Sequence, residues 1–133
     1  MPVDQTLMAR ILLAEDEEAL RALTARALTD SGHEVVTAVD GADALDILAR
    51  EGGRFELLLT DIKMPLMDGI ALALATARDH PAIIILLMTA YADQRERASN
   101  LDALIHDVIL KPFTLAEIKA AVNDALKAGK GTR

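Results

Sequence analysis

Five side chains of chemically useful type stand where apolar runs end. Glu15 and Asp16 follow RILLA at residues 10–14, and Asp61 closes the run Leu57-Leu58-Leu59-Thr60. Thr89 follows IIILLM at residues 83–88, and Lys111 follows DVIL at residues 107–110. A charge at the tip of a buried segment serves as a cap or serves chemistry. Three carboxylates brought to one point repel one another, and a divalent cation relieves that repulsion. No cysteine or histidine pair competes for a softer metal, so the set suits Mg²⁺. That ion takes one or two carboxylates plus a phosphate and keeps several waters. With a carboxylate nucleophile, a hydroxyl and an ammonium, the inventory fits phosphoryl transfer to Asp61. Lys111 and Mg²⁺ would neutralise charge on the transferring oxygens, and Thr89 would hydrogen-bond one of them.

These residues meet only if the elements carrying them run the same way. Residues 10–14 predict a first strand, and the acids at 15–18 suit the first turn of a helix, where the dipole is positive. Leu20, Leu23, Ala27 and Leu28 recur at helical spacing up to Asp30, and Ser31-Gly32 ends that helix. Residues 34–38 are rich in β-branched side chains and predict a second strand. Asp40-Gly41 reads as turn chemistry ahead of a helix through Ala42, Leu45 and Leu48, which Gly52-Gly53 stops. The third strand, Leu57–Thr60, leads to Asp61, and Asp68 predicts the N-cap of a helix to Asp79. A fourth strand at 83–88, a charged helix at 93–104 and a fifth strand at 107–110 follow. Thr114 and Glu117 have capping-box spacing ahead of a last helix striped by Ile118, Ala121, Val122, Ala125 and Leu126.

Strands alternate with helices through short connections, which predicts an α/β fold: five parallel strands with helices on both faces. In such a sheet all strand C-termini share one edge, where ligands bind. Glu15, Asp16, Asp61, Thr89 and Lys111 are therefore expected on one edge. Each alone has an ordinary explanation: first-turn acids, a turn cap, a satisfied hydroxyl, a surface amine or an ion pair with Asp61. Their joint placement argues for chemistry. His33, His80 and His106 read as ordinary surface histidines, the methionines as core or loop fillers, and the charges at 93–97 as a solvated helix face.

Composition narrows the function classes. The chain has 133 residues, 52% of them hydrophobic and 2% aromatic, so the core must be aliphatic. One domain is expected over residues 9–127, with a loose extension at 1–8 and a frayed tail at 128–133. The net charge of −7 argues against nucleic acid as a partner and against an anionic membrane surface. There is no cysteine, hence no disulfide and no thiol chemistry. No run is long enough to span a membrane, and the first ten residues lack a signal peptide's apolar stretch. A cytoplasmic protein is the expectation.

The set Glu15-Asp16, Asp61 with Met64-Pro65 and Asp68-Gly69, Thr89-Ala90 and Lys111-Pro112-Phe113 resembles response-regulator receiver domains, of the kind found in the chemotaxis protein CheY. The likeness covers residues 9–127. Within the family, MARILLAEDE and FELLLTDIKMPLMDG look most like small stand-alone receivers of the CpdR type, which prime regulated proteolysis. The resemblance implies a flavodoxin-like (βα)5 fold with strand order 2-1-3-4-5 and a cis bond before Pro112. It implies that Asp61 accepts a phosphoryl group from a histidine kinase or histidine phosphotransfer protein. It further implies Mg²⁺ on Asp16, Asp61 and the backbone carbonyl of Lys63, with Glu15 acting through a water. The output would be a protein contact on the face of the fourth helix, fifth strand and fifth helix, where Ala90, Leu101, Leu104 and Ile105 supply apolar groups if exposed.

The chain departs from the family at Val108, where an aromatic ring usually stands and rotates inward on activation. Lys63 and Tyr91, two residues past Asp61 and Thr89, are placed to overhang the site. Tyr91 either shields an aspartyl phosphate from water or acts as a partner-facing switch. Three other functions compete with phosphorylation-controlled binding. The first is a phosphate sink or shuttle. The second is a haloacid-dehalogenase-like hydrolase, which needs an acid where Lys63 stands. The third is a flavin binder, whose phosphate the acids after the first strand would repel.

Overall fold

The computed structural model describes residues 8–129. Its elements are β1 (Arg10–Ala14), α1 (Glu18–Asp30), β2 (Glu34–Ala38), α2 (Gly41–Arg50), β3 (Leu57–Asp61), α3 (Gly69–Asp79), β4 (Ile84–Thr89), α4 (Ala92–Ala98), β5 (Asp107–Leu110) and α5 (Leu115–Ala128). The strands pair in parallel, as the sequence predicts, in the order β2-β1-β3-β4-β5 that the family resemblance implies.

Alternation along the inner strands feeds two cores. Leu12, Leu58, Ile85 and Leu87 point to the side covered by α2, α3 and α4, where Ile47, Leu48, Leu72 and Ala98 meet them. Ile11, Leu13, Leu57, Leu59, Leu86 and Met88 point to the other side, against Leu28 of α1 and Ile118, Val122 and Ala125 of α5. Burial of each such side chain is worth about 1.5–3 kcal/mol, so a core almost without aromatics is sufficient.

The helix ends follow local chemistry. Asp40 and Asp68 accept hydrogen bonds from the N–H groups of Asp43 and Ala71, at 2.8 and 2.9 Å, capping α2 and α3. Thr114 and Glu117 close the capping box of α5 at 3.0 and 2.7 Å. The expected loose start and frayed end fall largely on residues 1–7 and 130–133, outside the described residues.

Several expectations are corrected. Helix α4 ends at Ala98 and passes into a 3-10 turn, Ser99–Leu101, instead of running to 104. The Ser99 hydroxyl donates to the carbonyl of Glu96 at 2.6 Å, which competes with helix continuation. Strand β4 covers 84–89, not 83–88, because the Ile83 N–H is used in a turn to the carbonyl of His80. Leu23 is exposed, and the buried face of α1 instead runs through Thr24, Ala27 and Leu28. His33 is not a surface residue. It is buried, its Nδ1 accepts from the Ala9 N–H at 3.1 Å, and burial pushes its pKa below the ordinary histidine value. Ile105 is buried in the core, so it is unavailable to a partner.

Candidate functional site

The site is built where the parallel strands end. Past β1 the Glu15 N–H donates to the carbonyl of Ala38 at 3.1 Å, and Arg21 Nη1 donates to the Glu15 carbonyl at 2.9 Å. The Glu15 carboxylate is buried, with Oε2 accepting from the Glu17 N–H at 3.0 Å and Oε1 from Lys111 Nζ at 2.9 Å. Asp16, one residue on, is exposed at the mouth.

Asp61 is the last residue of β3, in register with Met88 of β4. The chain turns sharply behind it. The Ile62 N–H donates to the Met88 carbonyl at 2.9 Å, and the Gly69 N–H returns to the Ile62 carbonyl at 2.7 Å. A Cβ on Gly69 would overlap the carbonyl oxygen of Asp61, so a glycine is required here by space. The Asp61 side chain is buried and lies 3.2 Å through Oδ2 from Lys111 Nζ.

Lys111 therefore bridges Glu15 and Asp61. Burial works against its ammonium, but the hydrogen bond it donates to Glu15 and the charge of Asp61 raise its pKa on balance. For Asp61 the balance goes the other way. Burial first, and then the charge of Glu15, push its pKa up to about 6 against the pull of Lys111. Carboxylate oxygens of Glu15, Asp16 and Asp61 all lie within 4.8 Å of one another. A cluster of hard oxygens with an incompletely compensated buried carboxylate fits Mg²⁺ in the chemistry of its donors.

Thr89 ends β4, fully buried, and its Oγ1 accepts from the Tyr91 N–H at 3.1 Å. The Lys111 N–H donates to the Thr89 carbonyl at 2.8 Å, which sets these two residues side by side on the edge. The bond before Pro112 is cis, as expected. Of the two overhanging candidates, Tyr91 is half exposed and caps α4, and Lys63 Nζ stands over its ring, 5.0 Å from the centroid. Val108 is packed into the core on the α4 side.

Sequence reading missed two supporting contacts. Asp68 was legible as a cap, but its Oδ2 also pairs with Arg97 Nη2 of α4 at 2.9 Å. Partial burial pushes the Asp68 pKa up, but the Ala71 N–H and the Arg97 guanidinium outweigh it and hold the carboxyl below its ordinary value. Nothing local in a charged helix such as ADQRERA announces which arginine reaches another element. Gly69 belongs to the Asp68-Gly69 motif, and the steric reason for it lies in the Asp61 carbonyl behind it.

Comparison with known proteins agrees with this geometry. A family profile described as response regulator receiver domain matches residues 11–123. The chain is 35% identical over 120 residues to the transcriptional regulatory protein TcrA of Mycobacterium tuberculosis, covering 90% of this chain and 47% of that protein. It is 36% identical over 120 residues to the sensor kinase CckA of Brucella abortus, covering 90% of this chain and 13% of the kinase. The chain thus spans about half the length, or less, of these curated relatives. Among solved structures, the response regulator TrrA of Thermotoga maritima, in complex with Mg²⁺ and BeF, superposes with a TM-score of 0.78 at 30% identity, covering 89% of this chain and 99% of that one. A receiver domain from Clostridium thermocellum superposes at 0.84 with 23% identity, covering 95% and 100%, a likeness of fold. The chain belongs to the response regulator receiver domains of two-component systems.

Proposed function

We propose that Asp61 accepts a phosphoryl group from a histidine kinase or histidine phosphotransfer protein, and that residues 9–127 form the receiver unit. The observation that carries this reading is the buried Asp61 carboxylate, flanked by Glu15 and Asp16 and touched by Lys111. An Asp61 oxygen attacks phosphorus, the bond to the donor nitrogen breaks, and the electron pair leaves with the imidazole. Lys111, already oriented by Glu15, balances charge on the phosphoryl oxygens, and the Thr89 hydroxyl donates to one of them. Mg²⁺, held by Asp16, Asp61 and the Lys63 carbonyl with Glu15 behind a water, would supply charge neutralisation at the transferring oxygens. The crystal structure of TrrA with Mg²⁺ and BeF supports this assignment by analogy. The chemistry is self-modification, and the domain turns over no other substrate.

The donor reaches Asp61 over an apolar hollow of about 330 Å³ beside Lys111, lined by Leu20, Ala90, Pro112 and Phe113. The output is a phosphorylation-dependent protein contact on the α4–β5–α5 face, where Ala90 and Leu104 are exposed and Leu101 is half buried. Lys63 and Tyr91 modulate the lifetime of the phosphate. A second reading, a phosphate sink with no output partner, draws support from Val108, which offers no ring to relay the change. Among the described residues no helix is long and apolar enough to cross a membrane.

Intact mass after incubation with acetyl phosphate and Mg²⁺ tests the proposal. One added phosphoryl group, absent in Asp61→Ala and absent without Mg²⁺, is expected. Absence of the adduct together with failure to bind beryllofluoride would overturn it. Rapid decay of the adduct without any partner would favour the sink.

A further inference from the structure

We propose that the loop between β3 and α3 grips α4 at two points, and that the charge on Asp61 controls one of those grips. The first is Lys63 Nζ over the ring of Tyr91 at 5.0 Å, and the second is the Asp68–Arg97 ion pair at 2.9 Å. This inference rests on Asp61 as the phosphoacceptor.

The two grips differ in what holds the loop side. Asp68 is fixed: its Oδ1 caps α3 through the Ala71 N–H, and the next residue, Gly69, is wedged against the Asp61 carbonyl. The pair with Arg97 is thus anchored to the rigid backbone behind the site. Lys63 is itself exposed, between buried Ile62 and Met64, and its contact is a cation over a ring, weak in water.

Phosphorylation replaces one negative charge at Asp61 with a phosphoryl group carrying more charge and three acceptor oxygens. Lys111 is already shared between Glu15 and Asp61. Lys63, two residues along the chain from Asp61, is drawn to the phosphoryl oxygens, because a charge-assisted hydrogen bond outcompetes an exposed cation–π contact. Tyr91 then loses its partner. Its carbonyl accepts from the Gln94 and Arg95 N–H groups at 3.1 and 3.2 Å, so Tyr91 is the end of the first turn of α4. That turn is freed while Arg97 stays held, and α4 pivots on its C-terminal half. Ala90, exposed just ahead of Tyr91, moves with it. A loop-to-helix route of this kind needs no ring on β5, where Val108 is fixed in the core.

The test follows amide hydrogen exchange by NMR in the full chain with Mg²⁺, with and without beryllofluoride, and reads beryllofluoride uptake by fluorine NMR in the same samples. In the wild type, beryllofluoride should speed exchange at Gln94 and Arg95 by roughly threefold to fivefold, with the Ala98 and Leu101 amides unchanged. In Lys63→Ala those first-turn amides should already be fast, with no further response. Lys63→Arg and Tyr91→Phe keep a cation and a ring and should behave as wild type. Arg97→Gln should extend the response across α4. Uptake with an unchanged first turn, or an undiminished response in Lys63→Ala, would overturn the clamp and leave the phosphoacceptor reading intact. Failure of the wild type to take up beryllofluoride would overturn that reading, and the clamp with it.

Discussion

Gly69 lies so close behind Asp61 that a single added Cβ would overlap the Asp61 carbonyl oxygen. The two residues are eight apart in sequence, yet the backbone of one sets the position of the other. Gly69→Ala is therefore expected to cost about 1–3 kcal/mol of stability, because neither backbone can give way freely. It should also slow labelling by acetyl phosphate. Denaturant unfolding read beside intact mass checks both. Unchanged stability would mean that the loop relaxes at no cost.

Asp61 is expected to make the stability of the fold pH-dependent. Its folded pKa of about 6 exceeds the unfolded value of 3.8, so the folded state holds this proton more tightly. The associated stability is fully present below the unfolded value and is lost as pH rises through about 6. Asp61→Asn should thus stabilise the protein by about 1–3 kcal/mol at pH 7 in the absence of divalent cations. The gain should vanish near pH 4. Equilibrium unfolding of both proteins across that range gives the answer, and a gain independent of pH would contradict the assignment.

Divalent cation should reverse that penalty. Mg²⁺ is expected to raise the thermal midpoint of the wild type, worth about 1.4 kcal/mol at ten times its Kd. Affinity should climb with pH up to about 6, where Asp61 gives up its proton, and level off above. Asp16→Ala and Asp61→Asn should both remove the effect. Calorimetric titration at several pH values measures it, and a pH-independent affinity would exclude Asp61 as a ligand.

On the proposed reading, Tyr91 bears on how long an aspartyl phosphate lasts. With the ring beside Lys63 and its backbone N–H on Thr89, Tyr91→Ala should speed dephosphorylation by roughly threefold to tenfold through water access. Tyr91→Phe, which keeps the ring, should decay at the wild-type rate. Equal rates in all three proteins would remove any shielding role.

A structural prediction concerns α1. The hydroxyl of Thr24 is buried with no hydrogen-bond partner among the described residues. An unsatisfied buried polar group costs about 1–3 kcal/mol. Thr24→Val, nearly the same shape, should stabilise the protein by about 1 kcal/mol, readable in urea.

The sheet was legible because its strands are short apolar runs and its helices have clear stripes, and β1, β2 and β5 carry the expected bounds. The site was legible for a related reason: in a parallel sheet, the end of each strand is already a spatial address, so Glu15, Asp61 and Lys111 could be brought together without coordinates. What could not be read depends on a partner remote in sequence. His33 is buried with its Nδ1 accepting from the Ala9 N–H, 24 residues away in sequence. Arg97 reaches Asp68 across 29 residues, and Lys63 reaches Tyr91 across a different loop. The end of α4 was missed because a run of charges has no stripe to stop.

Among the described residues the strand order leaves β2 and β5 with an open side. Unpaired edges recruit other chains, and a molecule with so many aliphatic strands has much to lose from that. Strand β5 spans only Asp107–Leu110: it begins on an exposed acid and stops two residues short of Pro112, which has no N–H to offer. Strand β2 opens on exposed Glu34, with Gly32 just before it. Strands β3 and β4, with their runs of Leu and Ile, are kept to the interior of the sheet, each paired on both sides. The same arrangement that gathers the carboxylates therefore also discourages self-association into fibres.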